Sequence, residues 1–188
     1  MQTEHVETIL LVGDDFHAAP EFPLLRPEPG ASWADAARAC RPSTVLAHLH
    51  QPRLEALDQL RDMIGTHPCP VLVLVDHDLP GFADEAVQAG ASSYLAEARE
   101  SGEIRSALRA AGALWRRHSA LEEQLRSAEK KLNERAVIER AKAALIRRHR
   151  FSEPEAYRWL QRRAMSQGRR IADLAAELLA STPERAPQ

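Results

Sequence analysis

Residues Thr8-Ile-Leu-Leu-Val-Gly-Asp-Asp15 form a short, continuous apolar run that ends in two acids. Such a run is typical of a strand that is buried in a parallel sheet and whose carboxyl end opens onto a loop. Thr44-Val-Leu-Ala-His-Leu49 and Pro70-Val-Leu-Val-Leu-Val75 have the same character, and residues 92–96 are a weaker candidate. The sequence therefore predicts a parallel sheet built around these segments.

Helical patterns separate the strand candidates, over residues 32–40, 54–64 and 83–89. Strands that alternate with helices favour an α/β sheet that is covered on both faces. Prolines interrupt the segment after the first strand, at Pro20, Pro23, Pro27 and Pro29. Because proline breaks a helix interior, we expect the first helix to be short or absent and the second strand to be weak.

The carboxyl ends of parallel strands form the usual site of such a sheet, and here they carry Asp14, Asp15, His48 and Val75. His48 and His50 lie on one face of their strand, since side chains alternate with a period of two, and two histidines can ligate a metal. No third ligand stands at a readable spacing. We therefore interpret the pair as strand-end residues and predict no metal site.

The charge of the chain is divided unevenly. The 188 residues have a formal net charge of -2. Residues 1–125 hold 10 Lys+Arg and 19 Asp+Glu, a balance of -9, whereas residues 126–188 hold 15 and 8, a balance of +7. A basic C-terminal third is typical of a nucleic-acid-binding module on a regulatory domain, although a face for an acidic protein partner has the same charge.

The composition, 44% apolar and 28% charged, excludes collagen-like, disulfide-framework and fully disordered classes. Two cysteines, Cys40 and Cys69, and a polar, acidic N-terminus predict a reduced, cytoplasmic protein. No membrane association is expected, because the longest apolar runs are far shorter than the ~20 residues of a membrane span. No nucleophile–base pair, phosphate loop or metal spacing is present, so we expect neither an enzyme nor a cofactor.

A helical pattern begins near residue 104 and continues to about residue 149. Its apolar positions step alternately by three and four, which is the seam of a coiled coil. The residues that we expect to pair between two chains are Ile104, Leu114, Leu121, Leu125 and Leu132. The seam also contains His118 and several alanines, so a long amphipathic helix packed on its own domain is the alternative.

The last third of the sequence predicts three helices. Ser152-Glu-Pro-Glu155 is a capping box with proline in the first turn, which starts a second helix over residues 153–165. Gly168 ends the connection to a third helix over residues 170–180. The apolar residues that these helices can share as a core are Ile138, Ala141, Leu145, Ala156, Leu160, Ala164, Ile171, Leu174 and Leu178.

The middle of the chain resembles the receiver domain of response regulators. The resemblance rests on Arg41-Pro-Ser-Thr-Val-Leu-Ala-His-Leu49, on residues 70–75 and on Glu85-Ala-Val-Gln-Ala-Gly-Ala-Ser-Ser-Tyr-Leu95. It implies a flavodoxin-like fold, as in CheY, from which this chain departs by the shortened first helix and second strand that its prolines predict. It also implies an Asp that accepts a phosphoryl group at the end of the third strand, a Thr or Ser after the fourth and a Lys after the fifth.

Three of the chemical parts that this resemblance implies are replaced. His48 stands at the phosphoacceptor position, Val75 replaces the hydroxyl residue and Glu97 replaces the lysine. Valine cannot hydrogen-bond a phosphoryl oxygen, and a glutamate repels it. We therefore expect a pseudo-receiver without aspartyl phosphorylation, in which Asp14 and Asp15 are remnants or loop caps and not Mg²⁺ ligands.

The C-terminal third closely resembles the ANTAR domain. The resemblance rests on Arg135-Ala-Val-Ile-Glu-Arg-Ala-Lys-Ala-Ala-Leu-Ile-Arg-Arg-His149, on Phe151-Ser-Glu-Pro-Glu-Ala-Tyr-Arg-Trp-Leu-Gln-Arg-Arg-Ala-Met165 and on Arg169-Arg-Ile-Ala-Asp-Leu-Ala175. It implies a three-helix RNA-binding module of transcription antitermination regulators of the AmiR and NasT type. It further implies a homodimer that binds stem-loops in a leader mRNA and that a ligand-sensing partner protein controls.

Basic side chains that we expect to remain for solvent can neutralise RNA phosphates, and arginine can also stack on bases. These residues are Lys142, Arg147, Arg148, Arg158, Arg162, Arg163, Arg169 and Arg170. Phe151, Tyr157 and Trp159 either stack on bases or, as is commoner at helical spacing, belong to the core. Gln161 stands where the resemblance implies an arginine, so no single arginine contact is assigned.

The predicted organisation is a pseudo-receiver over residues 1–102, a coiled-coil connector over 103–134, an RNA-binding domain over 135–180 and a tail over 181–188. Two alternatives to an RNA-binding antiterminator remain. A DNA-binding regulator would dock one basic helix in a major groove, although no helix-turn-helix turn is readable. A signalling scaffold would bind no nucleic acid.

Overall fold

A computed structural model describes residues 8–16, 24–98 and 100–181. The chain divides into two compact units, Met1–Ala120 and Leu121–Gln188. The elements of the N-terminal unit are β1 (Ile9–Gly13), β2 (Leu24–Leu25), α1 (Trp33–Cys40), β3 (Thr44–Leu49), α2 (Leu54–Thr66), β4 (Val71–Val75), α3 (Phe82–Gln88) and β5 (Ser93–Ala96). The helix α4 (Ser101–His149) contributes to both units, and α5 (Glu153–Ser166) and α6 (Ile171–Ala180) complete the second.

The five strands of the N-terminal unit form a parallel sheet in the order β2-β1-β3-β4-β5. This is the strand order of flavodoxin-like proteins, as the sequence predicted. The predicted weakness of the second strand is confirmed, because β2 has two residues and pairs with β1 alone. The helix that we expected to be short or absent would lie largely within residues 17–23, which are outside the described residues. Residues 182–188 of the predicted tail are outside them as well.

Every residue of β3 and β4 is buried, because both faces of the sheet are covered. One face packs against α1, α2 and α3. The other face packs against the first turns of α4, through Ile104, Leu108 and Ala111. The expectation that Ile104 pairs between two chains is therefore wrong, since this side chain is buried against Leu72 and Leu74 of its own sheet.

The C-terminal unit has its own apolar core, formed by the last turns of α4 and by α5 and α6. The fully buried residues of this core are Ala141, Leu145, Ala156, Leu160, Ala164, Leu174 and Ala175. The predicted capping box is confirmed, with Ser152 as N-cap and Glu155 as its partner. Gly168 connects α5 to α6 with a φ of +62°, a left-handed conformation that glycine adopts without strain.

Among the described helices, none combines the length and the hydropathy that a membrane span requires.

Candidate nucleic-acid interface and receiver pocket

Two exposed arginines, Arg147 and Arg148, lie in the last turn of α4. The C-terminal end of a helix carries a partial negative charge, which favours cations there. Neither side chain forms an ion pair with any residue that the structure describes. Their guanidinium groups are therefore available to an anionic ligand.

A second group of exposed arginines lies on α5. Arg158 and Arg162 are four residues apart, so they lie on one side of the helix, and Arg163 follows. Arg158 donates a hydrogen bond from Nε to the carbonyl of Pro154 at 3.2 Å, which leaves its terminal nitrogens free of protein acceptors within the described segments. Arg162 and Arg163 form no ion pair there either. Together with the end of α4, this side of α5 offers positive charge that carboxylates do not neutralise.

Arg169 and Arg170 are exposed but already have carboxylate partners. Arg169 pairs with Glu177 of α6, and Arg170, the N-cap residue of α6, pairs with Glu134 of α4. A phosphate would have to displace a carboxylate at either position. These two arginines are consequently weaker candidates for RNA contact than exposed arginines without an ion pair in the described segments, such as Arg147, Arg148, Arg162 and Arg163.

Lys142 does not face solvent, and the expectation that it does is wrong. It stands beside Ala141 on the face of α4 that packs on the rest of the unit, and its Nζ donates hydrogen bonds to Glu139 at 2.8 Å and Glu153 at 2.7 Å. These bonds raise the pKa of Lys142. The ammonium therefore joins α4 to the start of α5, and this placement favours a structural role over contact with RNA.

The aromatic residues of this unit differ in exposure. Phe151 and Trp159 pack against the core, as is common for aromatic residues at helical spacing. Tyr157 is 43% exposed, so its ring can reach a ligand. The exposed arginines that the sequence prediction left out include Arg140 on α4 and Arg150, whose φ of +55° turns the chain between α4 and α5. Arg150 could have been predicted to be exposed, because it lies between the end of α4 at His149 and Ser152, the N-cap residue of α5.

In the receiver unit, the phosphoacceptor position is occupied by a buried histidine. His48 is 2% exposed, and its Nε2 lies 2.9 Å from Oδ1 of Asp76, the residue that follows β4. The other carboxylate oxygen of Asp76 lies 2.6 Å from Nδ1 of His50. Burial acts to raise the pKa of Asp76, but the hydrogen bonds from the two histidines outweigh it and lower that pKa.

Asp14, one of the two acids after β1, is engaged by groups of the protein. Its carboxylate accepts two hydrogen bonds from the guanidinium of Arg53, at 2.7 and 3.2 Å, and one from the backbone N–H of His50 at 2.8 Å. Burial acts to raise the pKa of Asp14, but these bonds outweigh it and hold the pKa below its ordinary value. Asp14 therefore caps the loop after β3, and Asp15 pairs instead with Arg26.

The pocket does not fit the Mg²⁺ ion that receivers use. A hard cation needs several carboxylate or carbonyl oxygens, whereas Arg53 already neutralises Asp14 and His48 stands in place of the third carboxylate. Val75 is fully buried, and its carbonyl accepts the N–H of Glu97 at 2.9 Å. Glu97 is exposed and carries a carboxylate, so this position offers no cation to a phosphoryl group.

The sequence reading found no third ligand beside the two histidines, but the structure supplies one. His48, His50 and Asp76 each offer a ligand atom, and these atoms lie within 4.8 Å of one another. The parallel register of β3 and β4 explains the placement, because Leu49 pairs with Val75 and the residues that follow them, His50 and Asp76, become neighbours.

Comparison with known protein families adds the decisive observation for the C-terminal unit. Residues 126–179 match the model of the ANTAR domain family. The chain carries an ANTAR domain. The ANTAR match includes the end of α4 and all but the last residue of α6, so it takes in the lysine and arginines of the C-terminal unit that are described above.

Two similar proteins are regulators by name. The transcriptional regulatory protein PdtaR of Mycobacterium tuberculosis is 28% identical over 158 residues, which cover 82% of this chain and 77% of that protein. The aliphatic amidase regulator of Pseudomonas aeruginosa is 24% identical over 119 residues, which cover 63% of this chain and 61% of that protein.

Two solved structures resemble the chain. The crystal structure of FixJ-N is 21% identical with a TM-score of 0.45, and the match covers 56% of this chain and 93% of that one. A response regulator from Burkholderia pseudomallei, solved with a phosphorylated aspartic acid, calcium and citrate, is 18% identical with a TM-score of 0.38, and the match covers 82% of each chain. We therefore assign the receiver fold from the strand order described above.

Proposed function

We propose that this protein is an RNA-binding transcription antiterminator, which binds stem-loops in a leader transcript and so prevents formation of a terminator hairpin. The observation that carries the proposal is the ANTAR domain with exposed arginines that no described carboxylate neutralises, among them Arg147, Arg148, Arg162 and Arg163. Such side chains release counterions when they bind phosphates, and they stack on the unpaired bases of RNA loops. Tyr157 offers a further stacking surface.

Control of this activity does not pass through aspartyl phosphorylation in our proposal. His48 cannot form an acyl phosphate, and neither the hydroxyl nor the lysine that would hold a phosphoryl group is present at Val75 and Glu97. A ligand-sensing partner protein is the control that we propose instead. RNA affinity measured with and without acetyl phosphate should then be the same, and an affinity that changes with phosphodonor would contradict this part of the proposal.

The active form is a homodimer in our proposal, joined along α4. Four leucines that share the predicted seam are 51–66% exposed, and we assign them to the dimer contact: Leu114, Leu121, Leu125 and Leu132. Leu121, Leu125 and Leu132 follow one another by four and seven residues, the spacing of a heptad seam.

Sedimentation equilibrium tests the dimer. We expect the double substitution Leu121→Ala and Leu125→Ala to weaken self-association, because each removes an apolar side chain from the seam. Leu54→Ala is the matched control, since Leu54 has a similar exposure of 65% on α2 but lies outside the seam. A wild-type chain that sediments as a monomer would contradict the dimer, and so would a Leu54→Ala chain that dissociates as readily.

The proposed RNA binding is tested by selection from a pool of RNA stem-loops, followed by a gel shift with the full chain. The selected RNA and a duplex DNA of the same sequence are compared at equal salt. We expect binding to the RNA at concentrations where the DNA is unbound. Preference for the duplex DNA would favour a DNA-binding regulator, and binding to neither would favour a signalling scaffold.

A further inference from the structure

The cluster formed by His48, His50 and Asp76 at the carboxyl end of the sheet has no role in the proposed RNA binding. Each residue offers one ligand atom, and these atoms lie within 4.8 Å of one another. Nε2 of His48 and Nδ1 of His50 lie 2.9 and 2.6 Å from the two carboxylate oxygens of Asp76. Two ligand atoms of a tetrahedral ion, each about 2.0–2.1 Å from the metal, lie about 3.4 Å apart. Small side-chain rotations therefore bring the cluster to metal-binding geometry.

Backbone contacts hold the three ligands in place. The carbonyl of His48 accepts the N–H of Asp14 at 2.8 Å, and the N–H of His50 donates to the side chain of Asp14 at 2.8 Å. The N–H of Asp76 donates to the carbonyl of Leu49 at 3.1 Å. Because the strands fix the backbone, an ion bound here would cost little conformational entropy.

Packing fixes the orientation of the His48 ring. Its ring is 2% exposed, and its Nδ1 is buried without a hydrogen-bond partner among the described residues. The ring packs between Phe16, at a centroid distance of 5.0 Å, and His50, at 4.9 Å. Nε2 is therefore the ring atom through which this buried histidine can bind a partner, and Nε2 points into the cluster.

We propose that His48, His50 and Asp76 form a binding site for a divalent transition-metal ion of the Zn²⁺ class. Two imidazoles and one carboxylate suit such ions, whereas Mg²⁺ and Ca²⁺ prefer oxygen ligands alone. Asp14 stays outside the ligand set because Arg53 holds its carboxylate. His50 and Asp76 are 59% and 44% exposed, so water can complete the coordination.

Metal binding at this site would link the ends of β3 and β4. An ion that binds the folded receiver and not the unfolded chain raises its stability in proportion to the logarithm of metal concentration. Thermal unfolding therefore gives a readout that does not depend on RNA. The proposal stands or falls separately from the proposed RNA binding.

The test uses the full chain without a histidine tag, treated with a chelator that is then removed. Zn²⁺ alone is titrated in competition with a chromophoric chelator, in the presence and absence of excess Mg²⁺. We expect one Zn²⁺ per chain at a site that Mg²⁺ does not compete for, and a rise in the unfolding temperature of the receiver. His50→Ala and Asp76→Asn should each weaken binding at least about tenfold, since loss even of an outer-shell partner has that effect.

His77→Ala is the matched control, because His77 is exposed and lies in the same loop but is not part of the cluster. This variant should bind Zn²⁺ like the wild type. Both test substitutions are at partly exposed side chains, and Asp76→Asn keeps an oxygen that can accept the hydrogen bond of His48, so we expect the fold to be retained. Wild-type affinity in His50→Ala and Asp76→Asn would overturn the proposal, as would an equal loss in His77→Ala.

Discussion

Nζ of Lys142 on α4 lies 2.7 Å from Oε1 of Glu153 on α5, so an ion pair joins two helices of the ANTAR domain. The lysine side chain is 10% exposed, whereas Glu153 and the second partner, Glu139, are largely exposed. The two carboxylates therefore lose little hydration when they pair, and the ammonium depends on them for compensation of its own lost hydration.

This difference in burial between Lys142 and its two carboxylate partners predicts which of two variants loses more stability. Glu139→Gln with Glu153→Gln leaves a buried ammonium without its anions, whereas Lys142→Met removes the charge and keeps an apolar stem in place. We expect the double substitution to lower the free energy of unfolding more than Lys142→Met does, in urea titrations at pH 7. A larger loss of unfolding free energy in Lys142→Met would contradict this order, and would show that the charge of Lys142 contributes more to stability than its burial costs.

Leu160 is the central residue of α5 in the core of the ANTAR domain and is fully buried. Leu160→Ala removes apolar contacts and leaves a cavity, which should lower the free energy of unfolding by about 2–5 kcal/mol. Met165→Ala on the same helix is the control, since Met165 is 74% exposed, and should change it by less than about 0.5 kcal/mol. Chemical denaturation of both variants checks the contrast, and equal losses would place Leu160 outside the core.

The capping box of α5 gives a prediction about pH. The side chain and backbone N–H of Ser152 donate hydrogen bonds to Glu155, at 2.7 and 2.8 Å, and lower the pKa of Glu155 below its ordinary value of 4.5. A carboxylate with a lowered pKa stabilises the fold above its ordinary pKa, and this contribution disappears as pH falls through the lowered value. The wild type should therefore be more stable than Glu155→Ala at pH 7, and the difference should shrink below pH 4.5.

Ser152→Ala removes the N-cap hydroxyl and should cost about 0.5–2 kcal/mol at pH 7. Part of this cost should also disappear at low pH, because the hydroxyl donates to the carboxylate of Glu155. Thermal unfolding followed by circular dichroism at pH 7 and pH 4 measures both effects. A difference between wild type and Glu155→Ala that grows with acidity would contradict the assigned direction of the pKa shift.

The receiver pocket predicts that acetyl phosphate and Mg²⁺ leave the chain unmodified. Arg53 holds the carboxylate of Asp14, and His48 replaces the aspartate that would accept the phosphoryl group. Intact-mass spectrometry should show no phosphoryl adduct under conditions that modify a receiver with an intact acceptor. An adduct mapped to Asp14 or Asp15 would contradict the pseudo-receiver.

Much of the fold was predictable because it depends on local apolar pattern. The runs at residues 9–12 and 71–75 read directly as buried strands, and Ser152 with Glu155 marked the start of α5. The two-residue β2 was predictable as a weak strand, because the prolines before it limit regular structure.

The errors arose where a side chain's environment comes from another element. Ile104 fits a heptad seam by spacing, but the sheet covers it, which the helical pattern alone does not reveal. Lys142 could have been recognised as an inward residue, since it adjoins Ala141 on the core face and has Glu139 one turn before it. Asp76 became visible only when the register of β3 and β4 set it beside His50.

The central claim is that the unpaired arginines of the ANTAR domain bind RNA phosphates. Fluorescence anisotropy with a selected stem-loop RNA, over a series of salt concentrations, tests it most directly. The test chain carries Gln in place of Arg147, Arg148, Arg162 and Arg163. The charge-matched control carries Gln in place of four exposed receiver arginines, Arg26, Arg38, Arg41 and Arg61.

We expect wild-type affinity to fall steeply with salt, because each phosphate contact releases counterions. The test chain should bind more weakly, and the slope of log affinity against log salt should shrink by roughly one for each arginine that contacts a phosphate. The control chain should keep the wild-type slope. Wild-type affinity and slope in the test chain, or an equal change in the control, would contradict the account.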